Sequence, residues 1–229
     1  MKSIVFDTGP IISLTTNNLL GLLTNLKEHY GGSFYVTEAV RKELIERPLD
    51  TKKFKFEALQ VLRCINSKIL EVYDDAELKK KTLNLLDLAN KCFSCKNNFL
   101  QIVHFAEMSG LAAALINNSE AFVVDERNTR LLIEDPMKLR NILSGKLHMD
   151  VSLNRSILNK FRNLTKGMKL IRSVELVTVA FELGILDKYL VNVPNPRKTL
   201  LEAVLWGVKL NGASVSESEI KEIVKMEVK

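Results

Sequence analysis

Four carboxylates hold the chemistry this sequence offers. Asp7 directly follows the apolar run Ile4-Val5-Phe6, and Asp125 directly follows Phe122-Val123-Val124. Each run reads as a buried strand that stops at an acidic residue, the first one in the turn Asp7-Thr8-Gly9-Pro10. In a parallel sheet both aspartates then stand at carboxyl ends of strands, where open α/β folds place their sites. One such aspartate is ordinarily the cap of the next helix; two at equivalent ends are harder to dismiss. Glu107 lies in a helix beside the small, apolar stretch Gly110-Leu111-Ala112-Ala113-Ala114-Leu115. A glutamate on that face is desolvated unless a cation accompanies it, the plain alternative being that it reaches water at the edge. Ala106 and Gly110 leave room for another element to come close. Glu43, among Arg41, Lys42 and Glu46, reads by itself as part of a solvated helix face.

Carboxylates that converge need a cation. An all-oxygen set selects hard ions, Mg²⁺ or Mn²⁺ rather than zinc. Such a centre activates water and stabilises charge on a scissile phosphate. Competing chemistries find little support. There is no P-loop and no G-x-G-x-x-G, which argues against a nucleotide-driven machine. Ser13 has no convincing His and Asp partners for a hydrolase triad. Cys92 and Cys95 form a C-x-x-C pair, but none of His29, His104 and His148 stands at finger-like spacing from it. The pair reads as core packing, and the odd count with Cys64 argues against a disulfide framework.

These residues need a scaffold that alternates strands with helices. After the first strand, leucines at helical spacing predict a helix from Ile11 to about Leu26, broken at Gly31-Gly32. Phe34-Tyr35-Val36 is a second strand, and Thr37 caps a helix that Pro48 ends. Helices are expected from about Lys53 to Cys64, from Asp74 to about Asn90 and from Phe99 to Ile116, with a strand over Ile69–Tyr73 and a last one over Ala121–Val124. Residues 137–172 are rich in Lys, Arg and Asn and show no strand. Helices over Val174–Leu183 and Leu200–Lys209 follow, then one capped near Ser216 or Ser218. This order predicts an α/β fold with a mostly parallel sheet, as a body of residues 1–145 and a helical C-terminal extension, 146–229.

The 229 residues are 46% apolar and 26% charged, an ordinary globular mix. No run approaches the ~18–20 apolar residues of a membrane helix. An acidic residue by position 7 leaves no room for a signal-peptide core, so a soluble, cytoplasmic protein without a membrane partner is expected. The net charge of +6 and pI near 9.1 suit a polyanionic partner without demanding one.

The motifs also carry a resemblance. Ile4-Val5-Phe6-Asp7-Thr8-Gly9-Pro10-Ile11-Ile12-Ser13-Leu14 resembles the opening of PIN-domain nucleases, in particular the prokaryotic, VapC-like ribonucleases. Val36–Leu44 resembles the second family segment, with Glu43 at its acidic position. Ala106–Leu115 looks like the third, with Glu107, and Phe122–Arg127 like the fourth. The segments come in the family's order and span most of residues 1–135, and the tail from about Ile171 to Val224 loosely resembles the helical end of some members. The resemblance implies a three-layer α/β/α fold and Mg²⁺- or Mn²⁺-dependent hydrolysis of RNA. It implies Asp7, Glu43, Glu107 and Asp125 as the catalytic acids. Asp7, Glu107 and Asp125 would bind metal, with Glu126 beside Asp125 as a further ligand. Thr8 and Ser13 would hold Asp7 or a metal-bound water, and Arg127 would meet phosphate, whereas Arg130 reads as solvent-facing. Many members pair with a small antitoxin and many are homodimers. Lys138 to Lys169 has no counterpart in the compact toxins, so a toxin role does not carry over with the motifs. The leading expectation is an endoribonuclease whose basic C-terminal residues guide RNA. The alternatives are a catalytically silent scaffold that binds RNA or protein, and a DNA-directed nuclease.

Overall fold

The computed structural model describes residues 2–228. Its strands in chain order are β1 (Ser3–Phe6), β2 (Ser33–Thr37), β3 (Glu71–Tyr73), β4 (Phe93–Cys95), β5 (Asn98–Phe99), β6 (Ala121–Val123), β7 (Ser152–Leu153) and β8 (Leu170–Ile171). Five of them make the central sheet, in the order β3-β2-β1-β6-β8. Each neighbouring pair runs parallel. The remaining three form a small antiparallel sheet, β5-β4-β7.

Alternation along the strands divides the apolar side chains between two faces. Ile4, Phe6, Phe34, Val36 and Val123 point into one core, shared with the helices Thr8–Thr16, Leu22–Tyr30, Lys55–Asn66, Ser173–Glu182, Pro196–Leu210 and Glu217–Glu227. Val5, Phe122 and Val124 point into the other, with the helices Leu78–Asn90, Phe105–Ile116, Arg127–Glu134, Pro136–Leu147 and Arg155–Thr165. The result is the expected three-layer α/β/α arrangement with further helices from the C-terminal part. Among the described residues, no helix is long and apolar enough to cross a membrane.

Several elements differ from their sequence reading. The stretch from Ile11 to Leu26 makes two helices, not one, with Leu19 and Leu20 in the turn between them, where Asn18 is left-handed at φ 57°. The helix containing Glu107 starts at Phe105, since Asn98 and Phe99 pair with β4 instead. The third strand is shorter than Ile69–Tyr73, covering Glu71–Tyr73. Thr37 caps the next helix as expected, its hydroxyl accepting from the Val40 amide. That helix does not end at Pro48; it widens into a π-helical turn at Lys42–Glu46 and continues through Leu49. Pro48 has no N–H for the Leu44 carbonyl and its ring would crowd that oxygen, which a wider turn just before it accommodates.

The residues beyond 145 are woven into the body. Residues 137–172 do contain strands: β7 joins the small sheet, and β8 pairs with β6 as an edge of the central one. Val151, Leu158 and Phe161 share a core with Leu85 and Leu111, and Val177, Leu201 and Ile220 share the other with Ile11 and Leu14. The thiols are free and buried, as core packing requires. Burial pushes Cys92 up to about 12.

Gly110 sets how closely the Glu107 helix can approach the sheet. A Cβ there would lie 2.6 Å from Phe122 Cε2 and 2.9 Å from its Cζ. The Phe122 ring is fully buried and has nowhere to move. Gly110→Val is expected to destabilise the fold by about 2–3 kcal/mol through overpacking. Urea unfolding checks this, and a midpoint equal to that of the wild type would contradict the close packing.

Candidate functional site

Asp7 and Asp125 emerge side by side from the sheet. β1 and β6 are neighbours with Phe6 in register with Val123, and the Asp7 amide donates to the Val123 carbonyl at 2.9 Å. Both side chains are nearly dry, at 4% and 3% exposure. Gly9 lies between them: a Cβ there would be 3.5 Å from Asp125 Cβ and 4.0 Å from Asp7 Oδ2.

Their surroundings differ. The Asp125 carboxylate is fully engaged, with Oδ2 accepting from the Ser13 hydroxyl at 3.3 Å and Oδ1 accepting from the Ser173 amide at 2.8 Å. Burial pushes its carboxyl above the usual range, opposed by these bonds. Asp7 Oδ1, by contrast, is shut from solvent and has no hydrogen-bond partner. Burial drives the Asp7 carboxyl up to about 7; the Thr8 and Gly9 amides oppose the rise, and the Glu107 and Glu43 carboxylates add to it.

Glu107 sits in the first turn of its helix, where Thr129 donates to its Oε2 at 2.6 Å. Burial raises it to about 7, with the Glu126 and Glu43 carboxylates adding to the rise. Glu43 occupies the π-helical turn, a feature frequent at functional sites. Thr8 donates to its Oε2 at 2.9 Å and Arg47 to its Oε1 at 3.2 Å. Glu126 is exposed and caps the following helix, accepting from the Asn128 amide at 3.3 Å.

A cleft of about 1050 Å³ gathers Asp7, Glu43, Glu107, Asp125 and Glu126 on its walls, with Thr8 beside Asp7. Ser13 touches it only through Asp125. Arg127 is not among its lining residues. Its Nε donates to the Ser214 hydroxyl, and Arg130 is held by the Ser214 carbonyl and by Glu134. Two residues that orient the acids had no signature in the sequence. Thr129 follows Glu107, the acid it holds, by 22 positions and stands on a different helix. Ser173 lies 48 positions beyond Asp125, and nothing local connects the two.

The donor set consists of carboxylate oxygens, the chemistry of hard divalent ions. A buried oxygen without a donor on Asp7, whose carboxyl like that of Glu107 is pushed up to about 7, is what a cation would relieve. Among the described residues, no three His, Cys, Asp or Glu side chains form a ready-made cage. Mg²⁺ does not require one, since one or two carboxylates and several waters usually hold it.

No family model, curated protein or solved structure matches this chain.

Proposed function

We propose that the protein is a Mg²⁺- or Mn²⁺-dependent nuclease that hydrolyses RNA phosphodiester bonds in the cytoplasm. The observation that carries this reading is the unpartnered, buried Asp7 oxygen in a cleft shared with Glu43, Glu107 and Asp125. Asp7 and Glu107 would hold the ion through the oxygens their neighbours leave free. When bound, the ion would supply charge stabilisation at the phosphate and a more acidic water. Thr129 orients Glu107, and Thr8 orients Glu43 from the start of the Asp7 helix. Asp125 fixes the cleft wall by gripping Ser13 and Ser173. The choice of RNA rests on the resemblance to PIN-domain nucleases, helped by the net charge of +6.

Calorimetric titration with Mn²⁺ at pH 6 and pH 8 tests the metal centre. Ligands must lose their protons to bind metal, and Asp7 and Glu107 both titrate near 7. Affinity is therefore expected to strengthen by about tenfold or more as pH rises through 7. Absence of binding heat at both values would remove the centre, and an affinity independent of pH would remove these two acids from it. Cleavage of generic RNA with Mg²⁺ or Mn²⁺ tests the reaction itself.

A further inference from the structure

Arg172 does not line the cleft, and its side chain is only 13% exposed. It occupies the single step of chain between β8, which ends at Ile171, and the helix Ser173–Glu182. Its guanidinium reaches three pieces of the C-terminal part. Within its own helix it grips Glu175, with Nε donating to Oε1 at 2.9 Å, and Glu175 in turn accepts the Arg172 amide at 2.8 Å. From the helix Glu217–Glu227 it takes Glu219, with Nη1 donating to Oε1 at 3.0 Å. The same Nη1 donates to the Ser214 carbonyl at 3.1 Å, in the loop between the last two helices. A charge this dry needs partners on every side. The planar guanidinium can serve several acceptors in fixed directions at once.

Both ends of this network abut the acid site. The residue after Arg172 is Ser173, whose amide donates to Asp125 Oδ1 at 2.8 Å. The residue before it, Ile171, accepts the Val124 amide at 2.8 Å. At the other end, the Ser214 loop begins with Asn211, whose carbonyl accepts from Ser13 at 3.2 Å. That same hydroxyl donates to Asp125, and Gly212 of the loop lines the cleft. Arg127 and Arg130 also hold Ser214; among the described residues, neither bonds to the helix that Ser173 begins. Arg172 bonds to both segments and sits next to the amide that Asp125 accepts.

We infer that Arg172 is a positioning residue of the acid site: it fixes the Ser173 amide and the Asn211–Ser214 loop together, and so sets Asp125 from outside the cleft. Its effect on cleavage rests on the nuclease reading above; its effect on Asp125 does not. Through Glu219 and Arg172 the last helix of the chain takes part in placing an acid that lies 94 positions before Glu219 in the sequence.

The test is amide hydrogen exchange by NMR on the full chain, wild type against Arg172→Met. Methionine keeps an apolar stem in place and removes the guanidinium. The Ser173 amide is expected to exchange on the order of tenfold faster in the variant, with the amides of β1 and β2 unchanged. A loss of stability alone would instead speed all the slowest amides by one common factor. Glu219→Gln removes the charge of one partner only. It should move the Ser173 amide the same way by a smaller factor, and it decides the matter if Arg172→Met does not fold. A Ser173 amide as slow as in the wild type, or one common factor for all slow amides, would overturn the inference. RNA cleavage with Mn²⁺ adds the functional readout: Arg172→Met should lower kcat on the order of tenfold with KM unchanged, as expected for a displaced acid. An active wild type beside an equally active Arg172→Met would also overturn the inference. An inactive wild type beside a selectively released Ser173 amide defeats the nuclease reading and leaves the positioning of Asp125 supported.

Discussion

Asp7→Asn is expected to melt at a higher temperature than the wild type at pH 8 while losing at least about a hundredfold in Mn²⁺-dependent RNA cleavage. The gain comes from the buried charge. In the unfolded chain this carboxyl ionises near its ordinary value of 3.8, and in the folded protein near 7. Between those values the folded protein holds a proton that the unfolded chain has released, so stability falls as pH rises through the window. By pH 8 the full loss has accrued, on the order of 4 kcal/mol. Asparagine does not ionise and avoids it. For a chain of 229 residues, that corresponds to a rise on the order of 10 °C. The advantage should shrink to little at pH 4. Melting curves across pH 4–8 provide the check. A gap that stays constant with pH would contradict the buried-charge account, and retained cleavage would remove Asp7 from the reaction.

Asp125→Ala should move stability the other way, although Asp125 occupies the equivalent strand end. Its carboxylate accepts the Ser173 amide, which the substitution leaves buried without an acceptor. Ser13 keeps the Asn211 carbonyl as its alternative acceptor. An unsatisfied buried donor costs roughly 1–3 kcal/mol, and the lost side chain leaves a void, for about 2–4 kcal/mol in total. Asp125→Asn keeps one acceptor oxygen and should recover part of the loss. Denaturant midpoints for both variants, compared with Asp7→Asn, decide whether the two aspartates divide their roles. If Asp125→Ala proved as stable as the wild type, its bonds to Ser13 and Ser173 would not hold the cleft wall.

Features written in contiguous residues were legible in the sequence. The strand-then-acid pattern at Asp7 and at Asp125 is local, and so is the small-residue face beside Glu107, where Gly110 meets Phe122. The break between Ile11 and Leu26 was hidden because both helices bury leucines in the same core, so the spacing persists across it. Only Asn17-Asn18 marked the turn. β8 is two residues long, and Leu170-Ile171 has no alternation to read; it is a strand because β6 lies beside it. Glu43 looks solvated among its sequence neighbours and gains its setting from Thr8, 35 residues away. Arg127 follows two acids of the cleft in sequence, yet the helix it opens carries it outward to Ser214. Phe105 was read as interior to a longer helix, which concealed that it stands at the helix's open end.

The Ser173 amide that holds Asp125 also dates the completion of the site during synthesis. Forty-eight positions separate the two residues. At about 5–20 residues per second, this is on the order of 2–10 s of further translation. Through that interval a nascent chain already carries all four acids, but Asp125 lacks its amide donor and β6 its outer neighbour. The cleft wall becomes whole only when the segment that carries β8 and Ser173 has emerged and packed.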